Sequence, residues 1–390
     1  MAVSPSLSAA PRTRRDLRLD FFRGLALWFI FLDHMPSNTL NEYTIGHLGF
    51  SDAAEIFVFI SGFAAAVAYG SILKRRGYVL AVARILRRVW QLYVAQIFLF
   101  VAFIAQVAYV AARFQNPMFA EEMGIVQYFQ EPHISLLQAL LLKFRPANLD
   151  ILPLYIVLLA SFPVVLWGIV RAPLVTLGIS AAFWGVVHYF HWNLAGYPPG
   201  TEWYFNPFAW QLLFVTGAVC GIEGDSLKKI LPHRNILFAL AVVYLVFALV
   251  IAKTWYVPQI ETLVPPWVGD LLYPIDKTNL DLLRYFHFLA MAYVTVYFVH
   301  ADSKFLHWRV FHPLVVCGQH SLQVFCVGTF LSFLGHWILV QINGSLPMQA
   351  LVSVTGIALM SLLGYVLAWY KAKEAARATV AAPPRVGVAE

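Results

Sequence analysis

The chain has 390 residues, of which 60% are hydrophobic and only 12% charged, and its formal net charge is +7. Soluble domains carry nearer a quarter charged residues, so the composition excludes a soluble globular enzyme and implies a polytopic membrane protein. The basic residues fall at the ends of apolar stretches, so they read as topology signals, and no nucleic-acid partner is expected.

Residues 1–13, "MAVSPSLSAAPRT", are expected to be a disordered tail. Residues 14–370 read as one integral-membrane domain, and 371–390 as a cytoplasmic C-terminal tail. The fold class expected is all-α, with about ten transmembrane helices in one bundle and both termini cytoplasmic. The spans fall near 20–36, 51–71, 84–112, 149–170, 173–192, 207–223, 235–252, 283–300, 314–335 and 348–370. With that topology 21 of the 27 basic residues face the cytoplasm. The six left outside are Arg113, Lys143, Arg145, Lys253, Lys277 and Arg284. The first segment lacks a small-residue cleavage site and is expected to be a retained helix. No internal repeat is evident. Cys220, Cys317 and Cys326 have no metal-like spacing and read as free thiols.

The first span, within "LRLDFFRGLALWFIFLDH" and on to residue 36, carries Arg23 near its start and Asp33 and His34 near its end. Eleven helical residues rise by roughly 16 Å, which takes His34 near or beyond the membrane midplane. An ionisable group there is costly in lipid and should face a cavity or a partner. The plainer alternative is a helix-end pair at the outer interface, because Pro36 soon stops the helix.

The second span opens "SDAAEIFVFISGF". Asp52 and Glu55 are three apart and share a helix face at a depth similar to His34. They could orient an imidazole and raise its basicity, or they could simply cap the helix. Ser61, deeper in the same span, is either a ligand contact or a small residue for close packing.

The third span opens "KRRGYVLAVARILRRVWQLY". Arg84, Arg87 and Arg88 cover one broad face near the cytoplasmic surface. Arginine forks suit phosphate oxygens, although by pattern alone the positive-inside rule and anionic lipids account for them better. Further on, "HISLLQALLLKF" reads as an interfacial amphipathic helix and residues 253–282 as a turn-rich loop. The aromatic run "HYFHWNLAGYPPGTEWYFNPFAW" fits either an interfacial belt or a stacking surface for sugar rings. His188 and His191 share a face but lack a third ligand, so no metal site is expected. Arg284 and His287 open the eighth span on the outer side, where an arginine runs against the topology rule. An arginine so placed points to a substrate or to an acidic partner, with interfacial snorkelling as the alternative, and both residues are candidates for substrate binding. Gln319, His320, Ser321 and His336 complete the polar residues inside apolar runs.

Together these patches outline a path across the membrane, suited to moving an activated acyl group from a phosphate-bearing cytoplasmic donor to an outer acceptor. A histidine base would deprotonate an acceptor hydroxyl, while neighbouring donors hold the oxyanion. A relay through an acyl-enzyme is a second route.

Several of these stretches resemble the integral-membrane acyltransferase type 3 superfamily. "LRLDFFRGLALWFIFLDH" is similar to its opening motif at Leu19, Asp20, Arg23, Gly24, Ala26 and His34. "EIFVFISGF" is similar to its second-helix segment at Phe57, Phe59, Ser61, Gly62 and Phe63, with Glu55 where many members carry Asp. "RILRRVWQLY" matches its arginine motif at Arg84, Arg87 and Arg88, and "VVCGQHSLQVF" a late segment at Gly318, Ser321 and Phe325. The opening motifs look closest to the branch that succinylates osmoregulated periplasmic glucans.

The resemblance implies His34 as the catalytic residue, supported by Asp33, Asp52 and Glu55. It implies Arg23, Arg84, Arg87 and Arg88 as the donor-binding set. Ser61, Arg284 and His287 stand as candidate substrate contacts. The partners expected are an acyl-CoA donor, with succinyl-CoA first, a periplasmic glucan acceptor and membrane lipids. No tightly bound cofactor is expected. The setting is the bacterial inner membrane, and the oligomeric state stays open. The rival readings are an O-acetyltransferase of an exported polysaccharide, a small-molecule or proton-coupled transporter, and a structural assembly component.

Overall fold

The computed structural model describes residues 16–230, 234–262 and 264–381. The tail expected over 1–13 lies outside these residues, as does the end of the C-terminal tail. Within them the chain is helical, and the only sheet-like pairing is an isolated bridge between Ala195 and Glu202.

Ten main helices are α1 (Leu17–Asp33), α2 (Ala53–Arg76), α3 (Tyr78–Phe114), α4 (Ile151–Arg171), α5 (Pro173–Phe190), α6 (Pro207–Ile230), α7 (Arg234–Lys253), α8 (Leu282–Phe298), α9 (Ser321–Gln341) and α10 (Leu346–Ala381). Seven of them, α2 to α5, α7, α9 and α10, are long and apolar enough to cross a membrane. The protein is therefore a membrane protein. α1 and α8 have 17 residues each, short by that measure, and α6 has 24.

Each expected span finds a helix, with three shifts. The ninth span, expected over 314–335, is two helices: a short one over His312–Gln319, then α9, which starts at Ser321 and continues to Gln341. They meet at His320, whose N–H reaches back to the Val316 and Cys317 carbonyls. α3 has 37 residues, roughly 55 Å, so it extends well beyond a hydrocarbon core of about 30 Å. α10 continues past 370 to Ala381. The amphipathic segment expected after α3 is helical over Pro132–Leu140, and the turn-rich loop after α7 holds two short helices, Pro258–Glu261 and Pro266–Leu272.

Close packing rests on glycines where side chains would not fit. A Cβ on Gly62 of α2 would strike the Phe214 carbonyl of α6, and one on Gly217 of α6 would strike the Phe59 carbonyl of α2. Without apolar gain from leaving water, membrane helices associate through such close contact. Gly24 of α1 and Gly318 of the short helix make the same arrangement against Leu314 and Asp20. α1 is thereby fixed in the middle of the bundle, and so is the position of His34 at its end.

Candidate active site

α1 ends at Asp33, with His34 as its cap; the His34 N–H bonds the Ile30 carbonyl. Pro36 has no N–H to continue the helix. The chain then turns through 3-10 segments and enters α2 at Asp52. Asp52 is the N-cap: its carboxylate accepts the Ala54 N–H at 2.8 Å, while Glu55 reaches back to the Asp52 N–H at 2.8 Å. This capping box satisfies two helix-end donors at once. His34 and Asp52 thus arrive at the same end of the bundle, with the start of α4 and the loop before α8.

These ends enclose a cavity of about 700 Å³. Its wall includes Asp33, His34, Asp52, Arg145, Asn148, Asp150, Tyr197, Glu202 and Lys277. The sequence singled out Asp33, His34 and Asp52; the others were missed as site residues.

His34 Nδ1 is buried and makes no hydrogen bond. The backbone carbonyl of His34 accepts from the Asn148 amide at 3.3 Å. Among the described residues no carboxylate hydrogen-bonds to Nδ1 of the imidazole. Asp33 instead accepts the Thr44 hydroxyl at 2.7 Å. Asp52 pairs with Lys277 at 2.6 Å and with Arg284 at 3.2 Å. Glu55, fully buried, pairs with Arg284 at 2.7 Å. The two readings of Asp52 and Glu55 thus merge, because they cap α2 and also anchor two cations.

That network supplies Arg284 with the acidic partners that were one reading of its position. It lies buried behind the cavity wall and is held by two carboxylates. His287 is also buried and off the cavity; its Nδ1 is 2.7 Å from the Ser51 hydroxyl, against Gly49, where a Cβ would meet the ring. Ser61 is buried in α2 beside Gly62, at the α6 contact, which fits its small-residue reading.

Lys277 is positioned by a rigid seat. The buried Trp210 indole donates to the Lys277 carbonyl at 3.1 Å and to that of Thr278 at 3.2 Å. Asn206 grips the same loop through the Thr278 carbonyl and the Asn279 side chain. Burial pulls the ammonium down, but the Asp52 carboxylate more than offsets it, leaving Lys277 above the ordinary lysine value. Arg145 is fixed similarly: it pairs with Asp150 at 3.0 Å, caps the Leu142 carbonyl at 2.8 Å and lies over the Trp203 ring at 4.4 Å. Lys143 lies on the same wall, exposed.

The arginine set lies toward the other end of the bundle. Arg84 and Arg87 are exposed on α3; Arg88 is half-buried and donates to Gln91 at 3.3 Å. Arg23 donates to the Ile60 carbonyl at 3.3 Å. Arg23 and Arg88 both lie close enough to Tyr155 of α4 to act on it electrostatically, which joins part of the set across three helices. Among the described residues no cluster of three or more His, Cys, Asp or Glu side chains is placed to hold a metal ion. One further constellation escaped the sequence. The buried His336 of α9 stands 2.7 Å from Glu122 through Nε2 and 3.2 Å from the Ser37 hydroxyl through Nδ1. It ties α9 to the segment that follows His34.

A helical membrane bundle with a polar cavity, a histidine on its wall and arginines toward its opposite end has the layout of a membrane-embedded group-transfer protein. The chain belongs to the OpgC protein family, whose model matches residues 15–372. The family is one of membrane acyltransferases acting on glucans. No match was found among curated proteins or among solved structures.

Proposed function

We propose that this chain is an O-acyltransferase of the bacterial inner membrane, moving a succinyl group from cytoplasmic succinyl-CoA to hydroxyls of periplasmic glucans. In this reading all ten main helices span the bilayer and both termini are cytoplasmic, as the basic residues favour. The cavity at the His34 end then faces the periplasm.

The observation that carries the proposal is the state of His34. The residue lines a cavity of about 700 Å³ and its buried Nδ1 makes no hydrogen bond, whereas Asp52, Asp150, Arg145 and Lys277 are held in ion pairs. His34 would take the proton of a glucan hydroxyl. The oxygen would attack the thioester carbonyl carbon, and the coenzyme thiolate would leave and be protonated. Lys277, a fixed cation on the same wall, would stabilise the charge that develops on the carbonyl oxygen. Arg84, Arg87 and Arg88 would hold donor phosphates at the cytoplasmic end, and Arg23 would lie on the way in. The roughly 16 Å of helix between Arg23 and His34 is then the length the thioester arm must bridge.

One observation favours a second donor. Arg284, one of the arginines that a distal succinyl carboxylate would call for, is neutralised by Glu55 and Asp52. A donor without that carboxylate, such as acetyl-CoA, would need no such cation. In the succinyl reading the exposed Lys143 of the same wall remains to receive the carboxylate. Mass spectrometry of glucans from a deletion strain, complemented with wild type or His34→Ala, separates these readings. Loss of succinyl groups that only wild type restores supports the proposal. Loss of acetyl groups with succinyl groups retained would overturn it.

A further inference from the structure

A second cavity lies away from the reaction chamber, between α3 and α9. It holds about 630 Å³ and is lined along α3 by Ala102, Gln106, Tyr109 and Arg113, and along α9 by Phe330 and Trp337. Tyr109 is 68% exposed and Phe330 38% exposed, so the groove opens on the outside of the bundle, where lipid would be.

Its profile is that of an amphiphile. Ala102 to Arg113 spans eleven helical residues, roughly 16 Å, about half of a 30 Å hydrocarbon core and so one leaflet deep. The deep end is floored by alanines and walled by phenylalanine rings. The shallow end carries Arg113, in the last turn of α3, at the same end of the bundle as His34. Its side chain is exposed and makes no hydrogen bond or ion pair among the described residues. Trp337 adds a second unmet need: its indole Nε1 is buried with no partner. An indole N–H can only donate, so the wall calls for an acceptor oxygen beside a cation. The Gln106 amide closes the groove floor by donating to the Phe330 carbonyl at 3.1 Å.

We propose that this groove binds one anionic phospholipid. Its phosphate lies against Arg113, an ester or phosphate oxygen receives the Trp337 N–H, and one acyl chain occupies the space over Ala102. Because α3 also supports the Met118–Leu140 segment and α9 carries His336 against Glu122, the lipid would brace the wall that leads to the chamber. The proposal does not depend on which acyl group the protein transfers.

Native mass spectrometry tests it on delipidated protein in non-ionic detergent, with phosphatidylglycerol, phosphatidylcholine and inorganic phosphate as probes. One phosphatidylglycerol should bind in preference to phosphatidylcholine. Arg113→Gln should weaken it about five- to tenfold, the scale of a single interfacial cation on an anionic lipid. Ala105→Trp, which fills the groove, should abolish it, while Arg171→Gln, stacked on Trp167 at the far end of α4, should leave it unchanged. Elution and melting of each variant report on folding, and the exposed Arg113 keeps the test valid if Ala105→Trp misfolds. Equal binding of phosphatidylcholine, unchanged binding in Arg113→Gln, or displacement by millimolar inorganic phosphate would each overturn the proposal.

Discussion

Lys277 Nζ stands 2.6 Å from Asp52 Oδ2, and the same oxygen receives Arg284 Nη2 at 3.2 Å. One carboxylate therefore joins the cavity wall to the buried interior. Its two cations differ in setting: the Lys277 side chain is 30% exposed, that of Arg284 only 10%. Removing either should have different consequences, and that difference separates chemistry from architecture.

Lys277→Met leaves Asp52 paired with Arg284, so the expected stability loss is modest, about 1–2 kcal/mol after solvent screening. Because the folded-state value of Lys277 lies above the ordinary lysine value, its contribution is full below about pH 10.4 and fades as pH rises through the folded value. Thermal melts in detergent should show a constant gap between variant and wild type from pH 6 to pH 9, closing only at higher pH. Transfer activity should fall about 100-fold, the cost of one oxyanion donor. A variant that transfers as fast as wild type would remove Lys277 from the reaction.

Arg284→Met should be far more damaging to folding. Glu55 is fully buried and Arg284 is its cation, so the variant leaves a buried carboxylate unpaired, at a cost of about 3–5 kcal/mol. The double variant Arg284→Met with Glu55→Gln removes the charge as well and should recover most of that loss. Melting temperatures of the two single variants and the double variant form the cycle. Additive losses would show that the pair does not act as a unit.

The helices were legible because apolar runs and lysine and arginine placement respond to the bilayer, which acts on every residue alike. The break at His320 was not read, although the polar run Gln319, His320 and Ser321 interrupts the apolar pattern at that point. His34 and Asp52 were legible as ionisable groups in apolar context. Lys277, Arg145 and Asp150 were harder to see because they sit in loops, where charge is ordinary. A signal for them did exist. With both termini inside, as proposed, Lys143, Arg145, Lys277 and Arg284 would all run against the positive-inside rule, and each lies on the cavity wall or in the ion-pair network behind it. The argument made for Arg284 applied equally to Lys277. The family-like motifs mix two physical causes, since Gly24, Gly62 and Gly318 serve helix contact while His34 faces the cavity.

Gly62→Ala should destabilise the bundle without touching the chamber. The added methyl meets the Phe214 backbone carbonyl, which cannot swing away as a side chain would. Overpacking of this kind costs about 1–3 kcal/mol or more. Gly70→Ala is the control in the same helix, because its new methyl meets only the tip of Ile222 at 3.7 Å. Melting in detergent should drop for Gly62→Ala and hold for Gly70→Ala. Equal behaviour would mean that α2 and α6 are not held at backbone contact.

His34→Ala should separate activity from stability in the opposite sense. Nδ1 makes no hydrogen bond, so truncation breaks no polar contact there; the ring also faces a cavity, so the lost packing is small. Melting should shift by the equivalent of less than about 1 kcal/mol, within the range of substitutions that leave the core intact. Acyl transfer to glucan should fall by about 10²–10⁴, the usual contribution of a positioned general base. His34→Gln keeps much of the volume and a hydrogen-bonding head but cannot accept a proton near neutral pH, so it should be equally inactive. Substantial activity in His34→Gln would show that the residue fills or orients the chamber and that the proton leaves by another route.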